Sequence, residues 1–267
     1  MSLIEIVGVI LLAGLIHASF QLSISSLTIL SSGHLKLLNP RRKLRALTRY
    51  FVLGVITTTL LLITSFTYLF WINYENNPDP MVTAIITGLG VGLGVSIWAF
   101  YYQRSKGTVL WLPRDMASFI SNRSKKTDSL SEAFGLGMVS VIAELLFIFG
   151  PLSLAAIIIT KLTPNYQVLA IILYTLSATS SLVLVAILVN KNGKLAKIQK
   201  WREENKNFLQ FIAGTGLIIL SLFIYVFEVC KIIMYITLDS LTLLTFPISK
   251  FWQNLWFSVF LIFGCCF

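Results

Sequence analysis

Six apolar stretches, each close to or beyond the ~20 residues that span a bilayer, divide this chain. They run approximately Ile6–Leu30, Tyr50–Ile72, Met81–Tyr102, Ala133–Thr160, Tyr166–Asn190 and Phe208–Phe227. The gaps between them are not alike. Eighteen of the 21 Lys and Arg residues lie in alternate gaps, Lys36–Arg49, Arg104–Lys126 and Lys191–Lys206. The gap at Asn73–Pro80 has no base, and the gap near Thr160–Asn165 has only Lys161. Basic loops resist translocation and stay cytoplasmic. The pattern therefore predicts an all-α, polytopic membrane bundle in the plasma membrane, with the amino terminus outside and the three basic gaps inside.

The net charge of +10 raises the question of nucleic acid. Its placement beside apolar spans, in a chain with mean hydropathy +0.83, assigns it instead to topology and anionic headgroups. The first apolar stretch is too long for a signal-peptide core and has no basic residue ahead of it, so it reads as a retained span. Residues 228–267 are interrupted by Glu228, Lys231, Asp239 and Pro247, and 251–267 fits either a short seventh span or an interfacial helix. Cys265 and Cys266 fit either lipidation or an inert buried tail.

An internal repeat is expected. "AGLIHASFQL" from Ala13 and "LGMVSVIAEL" from Leu136 align at an offset of 123, pairing Gly14 with Gly137, His17 with Ser140 and Gln21 with Glu144. Three spans per repeat give halves of opposite orientation, the inverted plan found in many transporters. The expected organisation is a first three-helix repeat at 1–103, a basic cytoplasmic connector at 104–132, a second repeat at 133–230 and the C-terminal segment at 231–267.

Each repeat opens with a polar pair at i and i+4, which share one helical face. Glu144 is the only acid well inside any of the six stretches. A carboxylate at mid-depth costs roughly 2.5–3.5 kcal/mol on insertion scales, so it is expected to face protein or a wet cavity. His17 both donates and accepts hydrogen bonds. Glu144, His17, Gln21 and Ser140 are therefore the candidate site for a proton, an ion or a small solute. The bland alternative is a helix-tying hydrogen bond from Glu144 to His17 or Ser140. Pro151, after Gly150, removes a backbone donor and predicts a kink or break. Gly88, Gly90, Gly92 and Gly94 offer smooth faces for close helix packing.

No nucleophile motif, metal-ligand cluster or dinucleotide fingerprint is present, so neither an enzyme nor a cofactor or metal is expected. The two span starts, "LLAGLIHASFQLSISSLTILSSGHL" and "AFGLGMVSVIAELLFIFGPLSLAA", resemble the LysE/DsbD-type superfamily of six-span membrane proteins, which includes solute exporters and the CcdA-type electron carriers. CcdA-like proteins carry a redox cysteine beside a proline in spans one and four. This chain has neither cysteine and keeps only Gly150–Pro151, so the resemblance does not extend to thiol chemistry. It implies a transporter of a small solute or ion. The competing readings are a membrane scaffold whose partner is another membrane protein or a second copy, and a CcdA-like protein that has lost its redox function. The topology is tested by single cysteines in a cysteine-free background. Those at Asn77 or Asn165 should react with impermeant reagents on intact cells, and one at Arg123 should be protected; the reverse pattern overturns the charge argument.

Overall fold

The computed structural model describes residues 1–20, 24, 26, 27, 30, 40–74, 78–101, 122–124, 127–189 and 204–230, with no strand among them. The long helices of this part are α1 (Leu3–Ser19), α2 (Pro40–Tyr74), α3 (Pro80–Ser96), α4 (Leu130–Ile159), α5 (Pro164–Val189) and α6 (Lys206–Tyr225). α3 and α6 each pass into a five-residue π-helical turn, Ile97–Tyr101 and Val226–Cys230. Five of these helices are long and apolar enough to cross a membrane. The sixth, α1, is a 17-residue apolar helix, and Ile24, Ser26, Leu27 and Leu30 beyond it are again helical and buried. Residues 1–229 form one compact unit and 230–267 a second. The C-terminal segment with Cys265 and Cys266, Gln21, and most of the connector lie outside the described residues.

Local chemistry sets the helix starts. Ser2 caps α1 in a reciprocal box with Glu5, whose carboxylate accepts from Ser2 N at 2.7 Å. Asp79 caps α3 through Met81 N at 2.9 Å, with Pro80 in the first turn. Ser129 caps α4 through Glu132 N at 3.2 Å.

One expectation is corrected at the first basic gap. From Pro40 onward it is not a loop but the start of α2, which is 35 residues long. At 1.5 Å per residue that is about 52 Å, well beyond a hydrocarbon core of ~30 Å. No glycine or proline interrupts Arg41–Phe51, and the stretch is amphipathic. Leu47, Thr48 and Phe51 turn inward while Arg42, Arg45 and Arg49 are exposed. Helix persists because the extension has a buried face to dock.

The extensive pairings are α2 with α4, α1 with α5 and α3 with α6, followed by α1 with α4 and α2 with α5, then α1 with α6 and α3 with α4. Each joins a helix before residue 102 to one after residue 129. Helix directions follow from named contacts. α2 runs parallel to α4, since Lys43 Nζ meets Asp128 Oδ1 at 2.5 Å towards one end and the Phe66 and Phe149 rings lie 5.6 Å apart towards the other. α1 runs parallel to α5, with Gly14 against Ser177 and the Ala18 carbonyl accepting from Ser181 Oγ at 3.2 Å. α3 runs antiparallel to α6, with Gly90 against Ser221, Gly94 against Ile218 and Trp98 stacked on Phe211.

α1 and α4 are the inner pair. The apolar window of α4 is 72% buried, against 33% for α2 and for α3. The peripheral helices turn large apolar side chains outward, among them Leu53, Leu61, Tyr68, Ile85, Leu89, Leu176 and Leu184. Hydroxyls lie inside instead. Most are satisfied on their own helix: Thr58 donates to the Gly54 carbonyl at 2.9 Å, Thr87 to Thr83 at 2.8 Å, and Thr179 to Thr175 at 2.8 Å. An apolar exterior around a hydroxyl-bearing interior suits a lipid surround.

Glycines set close approaches between helices, among them Gly14 on α1, Gly137 on α4 and, from the α2 side of the same crossing as Gly137, Gly54 against the Phe134 carbonyl. A Cβ on Gly14 would strike Ser177 and come within 3.1 Å of the Tyr174 carbonyl oxygen. A Cβ on Gly137 would strike the Phe51 carbonyl and come within 3.1 Å of Val55 N. Gly90 and Gly94 meet α6, whereas Gly88 and Gly92 have nothing within 4 Å. Gly137→Ala should therefore destabilise the protein by at least the ~1–3 kcal/mol of an overpacked core. Gly88→Ala should be neutral or stabilise by up to ~1 kcal/mol through helix propensity. Thermal unfolding of the two variants in detergent checks this; equal effects would contradict it.

Candidate functional site

The polar groups at the centre sit on α1, α4 and α5. His17 and Tyr174 are both buried, 1% and 0% exposed, so neither reaches bulk solvent and each depends on a protein partner. They supply one another: His17 Nδ1 and Tyr174 Oη are 2.9 Å apart, with ring centroids 5.8 Å apart. The bond is possible because Gly14, one turn earlier on α1, lets α5 approach.

Glu144 and Ser140 are buried on α4, one turn apart. Ser140 Oγ donates to the Gly137 carbonyl at 2.7 Å, on its own helix. The relation between Glu144 and His17 follows from the helix directions. α4 and α5 are joined by the short turn at 160–163, so α4 runs antiparallel to α5 and hence to α1. Phe20 on the α1 side and Phe147 on α4 mark the crossing, with ring centroids 6.4 Å apart. His17 and Glu144 each lie three residues before the crossing, on opposite sides of it. At 1.5 Å per residue the two are separated by about 9 Å along the bundle. They form two polar levels rather than one bonded pair, and Gln21 lies outside the described residues.

The expected break at Gly150–Pro151 takes another form. α4 remains helical from Leu130 to Ile159 with Pro151 inside it. Every residue from Gly150 to Ile159 is buried, and a broken helix there would leave backbone groups without water. Any distortion at Pro151 is thus a bend within a continuous helix. A Cβ on Gly150 would meet Leu217 of α6 and Leu93 of α3 at 3.2–3.3 Å, so the glycine seats both neighbours on α4.

Two partners carry no signal in the sequence that marks them as site residues. Tyr174 reads in sequence as one aromatic residue in an apolar run. Its spacing from His17 gives no local signal, although the offset of 123 places it opposite Phe51. Lys161, just after α4, forms an ion pair with Glu228 in the π-helical turn after α6, and both are largely shielded, with side chains 21% and 13% exposed. That pair ties the C-terminal ends of α4 and α6. Among the described residues no group of three or more His, Cys, Asp or Glu side chains could hold a metal ion.

No protein-family model, curated protein or solved structure matches this chain.

Two substitutions probe the contacts that hold these levels in place. Tyr174→Phe keeps the ring and strands the buried His17 nitrogen, which should cost about 1–3 kcal/mol in thermal or denaturant unfolding. Glu228→Gln should cost a similar amount by leaving Lys161 half-buried beside a neutral amide. The charge swap Lys161→Glu with Glu228→Lys should recover most of that loss. A swap no better than the single change would mean that the ion pair does not form.

Proposed function

We propose that this chain is a secondary transporter or exporter of a small solute or ion, built from two three-helix repeats of opposite orientation. Support for the repeat comes from the helix pairings. Exchanging α1 with α4, α2 with α5 and α3 with α6 turns the α1–α5 pairing into α4–α2 and the α1–α6 pairing into α4–α3. The pairings α1–α4, α2–α5 and α3–α6 map onto themselves. The glycine contacts follow the same exchange. Gly14 meets Tyr174 and Ser177, while Gly137 meets Phe51 and Val55, and the offset 123 carries Gly14 to Gly137 and Phe51 to Tyr174.

The sequence of the second helices agrees in register. Phe51–Thr58, "FVLGVITT", aligns with Tyr174–Ser181, "YTLSATSS", again at 123. In the third helices "GVGL" from Gly90 aligns with "GTGL" from Gly214 at 124. Three helix pairs in register at nearly one offset support an ancestral duplication as the source of the repeat. The LysE/DsbD-like plan of two inverted three-span halves is the organisation to which this corresponds.

The observation that carries a transport role is Glu144, a carboxyl 1% exposed within the inner helix pair, at the interface of the proposed halves. Rocking of one half against the other would change what surrounds it, which is how alternating access works at a repeat interface. His17 and Tyr174 supply a second polar level on the opposite side of the crossing. The asymmetry matters: the repeat places Ser140 and Phe51, which cannot make that bond, where the other half has His17 and Tyr174. One crossing thus carries a polar bond between helices that its counterpart lacks, and the two ends of an access cycle need not be equivalent.

Flux of amino acids, amines and monovalent ions in proteoliposomes, with and without a pH gradient, tests this reading. Glu144→Gln should fold with less than ~1 kcal/mol lost and abolish the pH dependence of flux, because an amide cannot release a proton. Glu144→Lys should be severely destabilised by a charge at that depth. A folded Glu144→Gln protein with unchanged pH-dependent flux removes Glu144 from the mechanism. Absence of flux for the whole panel, with a stoichiometric membrane partner copurifying, favours a scaffold.

A further inference from the structure

The helical extension of α2 carries a feature that transport does not use. Arg42, Arg45 and Arg49 are all exposed and spaced i, i+3 and i+7, so they share one face of the helix. The same stripe continues four residues later to Leu53, and then to Leu60, which are 50% and 38% exposed. Neighbouring Tyr50 is 42% exposed, at the boundary between the two kinds of surface. The arginines thus lie in line with the lipid-facing apolar stripe rather than on the face that packs against α4. Lys43, the basic residue between them, is on a different face and is held by Asp128 at 2.5 Å.

Depth agrees with this placement. The headgroup layer on each side of a bilayer is about 5–7 Å thick. At 1.5 Å per residue, Arg49 lies about 6 Å and Arg45 about 12 Å along the helix from Leu53. Their side chains can reach back into the headgroup layer while their stems cover apolar surface.

We infer that this stripe is a binding site for an anionic phospholipid, with the phosphate and headgroup on Arg42, Arg45 and Arg49 and an acyl chain along Leu53 and Leu60. Guanidinium groups suit phosphate because their planar fork donates two parallel hydrogen bonds. A bound anionic lipid would hold the extension of α2 at the membrane surface, where its other face docks.

The test uses the full-length protein, delipidated in neutral detergent and titrated with phosphatidylglycerol or phosphatidylcholine under native mass spectrometry. Wild-type protein should prefer phosphatidylglycerol. Each of Arg42→Gln, Arg45→Gln and Arg49→Gln should weaken that preference about fivefold, and the triple variant should erase it. Lys43→Gln should leave it unchanged. If the triple variant fails to fold, the single variants carry the comparison. A preference retained in the Arg→Gln variants overturns the assignment. So does displacement of the lipid by equimolar glycerol phosphate, which would mark a site for soluble phosphate instead.

Discussion

Two close helix crossings govern the arrangement of everything else, one at Gly14 and one at Gly137. At each, a glycine on an inner helix meets backbone or near-backbone atoms of a helix from the other half of the chain. In lipid the hydrophobic effect does not draw helices together, so association depends on close packing and polar contacts. Side chains at these two positions would separate α1 from α5 and α4 from α2. The first separation would also break the bond between His17 and Tyr174. Packing and chemistry are therefore coupled at the α1–α5 crossing: the small residue permits the approach, and the approach satisfies a histidine that has no access to bulk water.

The two halves do not stand side by side as separate bodies. The extensive helix pairings run between them, and residues 1–229 form one unit. Under the proposed duplication, each half on its own would expose the faces of its inner helix. Such an interleaved pair resists large separation. The ion pair of Lys161 with Glu228 bears on this, because it joins the ends of α4 and α6 within the second half, where helix packing is slight. It supplies cohesion that the helix faces there do not.

Much of the fold is written in hydropathy and charge. Helices α2 to α6 lie where apolar length alone puts them, and Gly14 and Gly137, aligned at 123, both lie at close helix approaches. The start of α2 was not legible in that way. A scan for apolar stretches treats Arg42–Arg49 as a gap, and only the period of Leu47 and Phe51 against the arginines marks it as an amphipathic helix. Tyr174 and Glu228 escaped for a different reason. Their partners, His17 and Lys161, are distant in sequence, and no local pattern encodes a pairing made by tertiary packing.

The central claim is that the inner helices cross into the opposite half, α1 onto α5 and α4 onto α2. Its most direct test is disulfide cross-linking in native membranes, with the native cysteines replaced and a protease site placed in the connector between α3 and α4. Cysteine pairs at Ala18 with Ser181 and at Phe66 with Phe149 should each form a bond that keeps the two halves together after cleavage, until reductant is added. If neither pair cross-links, while pairs between α1 and α2 do so readily, each half packs on itself and this account of the fold is wrong.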